Sequence, residues 1–535
     1  MTARPGRILL VDDNNQWLEE LLESLQRAGS YVETATTSAE AWEKMTKSLF
    51  HIVILDIRME ENNQANRDGI ELLQKLKRSQ SGKETKVVML SAYNNLTDMR
   101  TAFREQVLDV LSKNEFDNNV FVQQIADVFN NAVNINLDLQ ILWQHGSSSE
   151  AVQRLKIDNE RITKNTIPAV ANELEDLLCR LFSDARNILI RPLTAGYSGM
   201  GVLSVRPIYK DGGAQAVVVK FGDIQKTDAE YTKFQKYAEP YIGGGRNTRP
   251  RTIRHTSSLG GIVYSLLGTT NDPLKSFAEF YYQASIEQIK VTIQELFTKT
   301  CGAWYDNPGI QQVLDLHQSY ARSLDFDWKE LNRSLTESLR SVQGKEKLTF
   351  NALNSSRKFI NPISATEGKP AFFTTYTCIT HGDFNQNNIL VDSSGHGWLI
   401  DFQETEPGHI FRDAITLDTE IRCQLLRAND ATLIERLEME EKLCSATHFS
   451  QLKQFSSQFQ TQNTALNKTF ELIIFLRTLA YSLVPHNQDD SMSEYYHSLL
   501  YSALNTSRFR TLSIAQREHA LLSASLLAEN LGLKG

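Results

Sequence analysis

Four short apolar runs in the first 113 residues each end in a polar residue with chemistry to offer, and no other feature constrains the fold so tightly. Ile8–Val11 runs into Asp12 and Asp13, Ile52–Leu55 into Asp56, Val87–Leu90 into Ser91, and a run near Leu108–Leu111 into Ser112 and Lys113. Helical patterns lie between them: Trp17, Leu18, Leu21, Leu22 and Leu25 share one face at a period of about 3.6 residues. Strands that alternate with helices form a parallel sheet, and such sheets gather their functional groups at the carboxyl ends of the strands. Three carboxylates, a hydroxyl and a lysine are therefore expected in one pocket. Carboxylates this close repel, and a divalent cation would relieve the repulsion and screen an incoming phosphate.

The arrangement resembles the receiver domain of two-component response regulators over residues 5–132, with the domain taken as 1–132. The resemblance implies a doubly wound parallel, flavodoxin-like fold with Asp56 as phosphoacceptor. It also implies magnesium on Asp12, Asp13 and Asp56, a switch pair in Ser91 and Lys113, and a histidine kinase or phosphorelay partner. Two positions depart from the receiver pattern: Val110 where an aromatic is common, and Asn114 where proline usually follows the lysine. The segment after Asp56, RMEENNQANRDG, is also long. These departures bear on the output movement and leave open a receiver that holds its partner constitutively.

A second signature spans His381 to Phe402, HGDFNQNNILVDSSGHGWLIDF. Ile389–Val391 and Trp398–Ile400 read as two strands, with Ser393, Ser394, Gly395 and Gly397 as the turn. A hairpin would carry Asp383 and Asn388 back to Asp401. Oxygen ligands alone suit magnesium held between protein and substrate phosphates. The spacing resembles the catalytic and metal loops of protein kinases, with His-Gly-Asp where those have His-Arg-Asp. In this it looks like the aminoglycoside phosphotransferase and choline kinase group. The resemblance implies that Asp383 orients or deprotonates an acceptor hydroxyl, that Asn388 and Asp401 hold magnesium, and that His381 and Asp413 brace the loop. ATP and Mg2+ are then the cofactors.

Such a site needs a nucleotide-holding lobe upstream. LTAGYSGMGVLSV places Gly196, Ser198, Gly199 and Gly201 between apolar runs, where backbone N–H groups can approach phosphate. Ala216–Lys220 reads as a strand ending in a lysine and resembles the kinase strand that carries the phosphate-binding lysine. Glu230 is the candidate partner of Lys220, with Glu239 as competitor, and adenine would sit near Ile262–Leu267.

The expected fold is thus α/β multi-domain. A receiver is followed by a mostly helical linker at 133–190, a kinase-like N-lobe at 191–270, and a large helical C-lobe at 271–535 of a bilobal protein-kinase-like α+β domain. Leu174, Leu177, Leu178 and Leu181 form a stripe that reads as packing on that lobe or on a second copy, a homodimer, or as a regulatory helix that transmits the receiver's state. Val313–Val342 reads as helix, and Arg246, Arg249, Arg251 and Arg254 as a basic loop, either solvated or binding phosphate groups or an acidic partner. A net charge of −8 gives no general attraction to nucleic acid or anionic membrane. No apolar run is long enough to span a bilayer, the first residues do not read as a signal peptide, and five scattered cysteines read as reduced thiols, so a cytoplasmic location is expected.

The leading reading is a receiver-regulated ATP-dependent phosphotransferase acting on a hydroxyl of a small molecule or protein. The alternative is a nucleotide-binding scaffold, since the region is also similar to ternary-complex-associated, phosphotransferase-like modules of bacterial signalling or conflict systems. A DNA-binding regulator fits poorly, because no basic recognition stripe follows the receiver.

Overall fold

Strands β1 (Arg7–Val11) and β3 (Ile52–Asp56) are buried almost throughout, which only a sheet covered on both faces allows. A computed structural model describes residues 4–534 apart from 61–65, 80, 81, 83, 93–95, 115, 158, 159, 194–198, 242–247, 267–273, 340, 341, 345, 456 and 486–488. The chain divides into two units, Met1–Tyr231 with Arg249–Leu266, and Thr232–Thr248 with Leu267–Gly535.

The first unit begins with a five-stranded parallel sheet in the order β2-β1-β3-β4-β5, where β2 is Tyr31–Ala35, β4 Lys86–Ser91 and β5 Asp109–Ser112. Helix α1 (Asn15–Arg27) buries Leu18, Leu21 and Leu25, and Asn14 caps it by accepting from the Trp17 N–H. Sequence reasoning missed β2. This edge strand has no continuous apolar run, and its first residue, Tyr31, is exposed.

A second sheet follows in the order Thr248–His255, Leu259–Leu266, Val217–Asp223, Gly201–Tyr209, Asn187–Pro192 and Gln140–Trp143. The expected helical linker is therefore corrected. Gln140–Trp143 pairs in parallel with Asn187–Pro192, so part of residues 133–190 belongs to the sheet. The helix Ile167–Leu181 does carry the leucine stripe, and it buries Leu174, Leu177, Leu178 and Leu181 in one core with Val217, Val219, Phe221 and Val263. Residues of the expected basic loop form the edge strand Thr248–His255, while Arg246 lies outside the described residues. Lys220 sits in mid-strand rather than at a strand end.

The second unit mixes short strand pairs with many helices, among them Arg412–Thr419, Leu433–Cys444, Thr464–Ser482, Ser493–Ser507 and Ile514–Asn530. The helix expected over Val313–Val342 is corrected as well. Gln312–Asp315 is a strand paired with Phe372–Thr375, and helices follow at Leu316–Ser323 and Trp328–Ser338. Its helical core encloses charged groups: Arg422 bonds Asp418, Glu440 and Ser523, while Arg477 bonds Asp418. All five cysteines are buried and free. Among the described residues no helix is long and apolar enough to cross a membrane.

Candidate functional site

The carboxyl ends of the parallel strands bring Asp12, Asp13, Asp56 and Lys113 together. Lys113 Nζ lies 2.6 Å from Asp12 Oδ2 and 2.7 Å from Asp56 Oδ2. Burial, then the Asp12 charge, push Asp56 up to about 6 even though Lys113 opposes them. Burial likewise raises Asp12. Burial pulls Lys113 down, but Asp56 and Asp12 together outweigh it and leave the ammonium raised. Ser91 is buried at the end of β4, and its carbonyl accepts from the Lys113 N–H at 2.8 Å. One oxygen from each of Asp12, Asp13 and Asp56 lies within 4.8 Å of the others, a hard donor set that fits magnesium.

In the second sheet, Lys220 Nζ donates to Glu230 Oε2 at 2.6 Å, and the Tyr264 hydroxyl donates to Glu230 Oε1 at 2.6 Å. Both charged side chains are about 1 % exposed. This selects Glu230 over Glu239, which stands at the end of the next helical turn. Gly201 opens its strand opposite Phe221, and Gly199 precedes it with φ +76°. Gly196 and Ser198 lie outside the described residues.

The His381–Phe402 segment lies wholly in the second unit. Ile389–Val391 and Gly397–Leu399 form the hairpin, one residue off the expected second strand, with Ile389 opposite Leu399. The turn is fastened by Asp392, which accepts from the N–H groups of Ser394 and His396. Upstream, Asp413 accepts from the His381 N–H at 2.8 Å and the Gly382 N–H at 2.9 Å, while His381 Nε2 bonds the Ile400 carbonyl. These bonds hold the loop that presents Asp383. Its two carboxylate oxygens accept from Asn385 Nδ2 at 2.9 Å and Asn388 Nδ2 at 2.9 Å. Burial, then the neighbouring Asp401 carboxylate, raise Asp383 from its ordinary value. Asp401 is buried and takes a left-handed backbone, φ +70°, a conformation that costs energy for any residue but glycine. Asn388 and Asp401 offer oxygen donors of the type magnesium takes.

Sequence reasoning missed Glu420. Burial, then the Asp383 charge, raise this carboxyl to about 8. It accepts from Gln424 Nε2 and from the Gln386 backbone N–H. The only signal in the sequence is that Asp413 and Glu420 are seven residues apart, two turns along one helical face.

Residues 8–126 match the response regulator receiver domain, which implies phosphorylation-regulated signalling. Residues 185–349 and 350–507 match ternary complex associated domain 9. That match covers more than half of the sequence, and the chain belongs to the ternary complex associated domain 9 family. Among solved structures, the chain is similar to a CheY-like receiver protein from Methanospirillum hungatei, with 23 % identity, TM-score 0.21, and 24 % of this chain and 94 % of that one covered. It is similar also to a response regulator from Thermotoga maritima, with 17 % identity, TM-score 0.21, and 24 % and 99 % covered. The receiver domain of NtrX from Brucella abortus shares 25 % identity, TM-score 0.21, with 23 % and 99 % covered. None of the curated proteins matches the chain.

Proposed function

We propose that this chain is a receiver-regulated, ATP-dependent phosphotransferase that moves the γ-phosphoryl group of ATP to a hydroxyl. The observation that carries the reading is the hairpin loop in which Asp383 is gripped by two asparagine amides beside Asp401. Phosphoryl transfer asks a protein mainly for positioning and charge neutralisation. Asp383, held at the head of the loop by the Asn385 and Asn388 amides, is the group assigned to accept the hydroxyl hydrogen. Magnesium, when bound, supplies neutralisation of phosphate charge, with Asn388 and Asp401 as its protein ligands. Lys220, oriented by Glu230 and Tyr264, is assigned to phosphate oxygens. At the receiver, Asp56 is the group that takes phosphoryl from a histidine kinase or phosphorelay donor.

The test is magnesium-dependent turnover of labelled ATP by the full chain in the presence of cell extract. Asp383→Ala and Asp401→Ala are expected to lose it, with ATP binding retained in Asp383→Ala. Undiminished turnover in both variants refutes the assignment. ATP binding by the native chain without transfer to any acceptor would favour a nucleotide-binding scaffold instead.

A further inference from the structure

His51 and Asp56 stand at opposite ends of one buried strand. His51 immediately precedes β3 and Asp56 closes it, a span of about 17 Å at ~3.3 Å per residue. The His51 ring reaches out of the receiver. Its Nδ1 accepts from the Arg7 backbone N–H at 2.9 Å, so Nε2 carries the hydrogen and donates to Asp176 Oδ1 at 2.5 Å. Asp176 lies on the Ile167–Leu181 helix, where Arg180 Nε donates to its other oxygen at 2.6 Å. Arg180 then turns back to the receiver, with Nη1 3.7 Å from Glu84 Oε2, just ahead of β4. The side chains of His51, Asp176 and Arg180 are 2 %, 8 % and 3 % exposed. The receiver thus meets the helix through the amino-terminal edge of its sheet, the end opposite the phosphoacceptor.

The helix leads on to Lys220. Leu177 and Leu181 press against the strand Leu259–Leu266 so closely that a Cβ on Gly261 would lie 2.9 Å from Leu177 Cδ2. The next residue, Ile262, is the register partner of Lys220. Glu173 clamps the turn before this strand, accepting from Thr256, Ser257 and Ser258. Asp56, β3, His51, Asp176, Gly261 and Lys220 are therefore linked by contacts and strand pairing within one unit.

We propose that the buried His51–Asp176–Arg180 contact is the coupling element through which the phosphorylation state of the receiver reaches the strand that carries Lys220. Burial pushes the Asp176 carboxyl up, but Arg180 and then His51 outweigh it and hold the group down at about 2. A buried charge with a fixed set of partners has no comfortable half-made state, so the contact favours discrete arrangements over gradual drift. A cavity of about 510 Å³ lined by Arg4, Arg7, Leu49, His51, Asp176 and Cys179 adjoins it and leaves room for the ring and helix to shift. The proposal needs only the receiver's chemistry and holds whether or not Lys220 binds nucleotide.

The test is hydrogen exchange by mass spectrometry on the full chain, with and without beryllofluoride and Mg2+ as a mimic of the acyl phosphate. In the native chain, protection across Ile167–Leu181 and Leu259–Leu266 is expected to change by roughly threefold or more. In Asp176→Asn, amides around Asp56 still respond while those two segments no longer do. Arg180→Lys, which keeps the charge but cannot bridge Asp176 and Glu84, serves if the first variant fails to fold and is expected to behave likewise. Arg4→Ala, which removes the part-exposed Arg4–Glu175 pair on the same helix, leaves the response intact. A response that persists at full size in Asp176→Asn or Arg180→Lys overturns the proposal. So does a native chain whose two distant segments are indifferent to beryllofluoride.

Discussion

Replacing Gly382 by alanine tests the geometry of the His-Gly-Asp loop with a single methyl group. Gly382 has φ +83°, a left-handed conformation that costs an L-residue about 1–2 kcal/mol. Its Cβ would also fall 2.2 Å from the Glu404 carbonyl oxygen and 3.0 Å from the Glu404 Cβ. Backbone cannot yield as a flexible side chain does, so overpacking adds about 1–3 kcal/mol. The sum, roughly 2–5 kcal/mol, falls on the loop that Asp413 ties down through the His381 and Gly382 N–H groups. At about 2–4 °C per kcal/mol for domains of 150–250 residues, the thermal transition containing this loop should drop by roughly 4–20 °C. Differential scanning calorimetry reads that drop, and hydrogen exchange should show faster opening of His381–Asn388. A Gly382→Ala protein melting within about 1 °C of the native chain, with unchanged protection in this loop, would falsify the reasoning. Gly382→Arg, which writes in the protein-kinase motif, is expected to be worse, because the same Cβ must be placed and a long side chain follows it.

Glu440→Gln should destabilise the second unit by about 3–5 kcal/mol, because it leaves the wholly buried Arg422 and Arg477 to share the single carboxylate of Asp418; denaturant unfolding measures it. Lys220→Met should be tolerated less well than Lys220→Met combined with Glu230→Gln, since the single change leaves a buried carboxylate without its cation; comparing the two melting temperatures checks this. His255 is raised by the carboxylates of Glu84 and Asp228 against an opposing burial effect. Its folded value lies above the unfolded one, so its stabilisation is complete below about pH 6.5 and is lost as pH rises through the folded value. Melting temperature should therefore fall more steeply as pH rises above about 6.5 in the native chain than in His255→Gln.

The parts of the molecule legible in the sequence are those fixed over short stretches. Asp12, Asp56 and Lys113 could be read as neighbours because a parallel sheet sends every strand end to one edge. The Ile389–Leu399 hairpin was readable to within one residue from its glycine and serine turn. Strand β2 was not, because an edge strand with a half-exposed pattern, YVETA, carries too little apolar signal. Gln140–Trp143 reads as linker until its distant partner Asn187–Pro192 is known, since pairing rather than composition makes it a strand. Glu420 and Asp176 escaped for the same reason. Their importance comes from what tertiary packing sets beside them, Asp383 in one case and His51 in the other, and 125 residues separate Asp176 from His51.

The junction of the first unit has a consequence for how such a chain can change over generations. Ile135 packs against both the receiver core and the core of the second sheet, and the Arg4 N–H donates to the Leu137 carbonyl. The residues just ahead of β1, β3 and β4 are here committed to a neighbour through Arg4, His51 and Glu84. A receiver without those three side chains would fold on its own core and arrive without its socket. Exchanging the receiver alone would remove the His51–Asp176 and Glu84–Arg180 contacts unless both sides of the joint moved together.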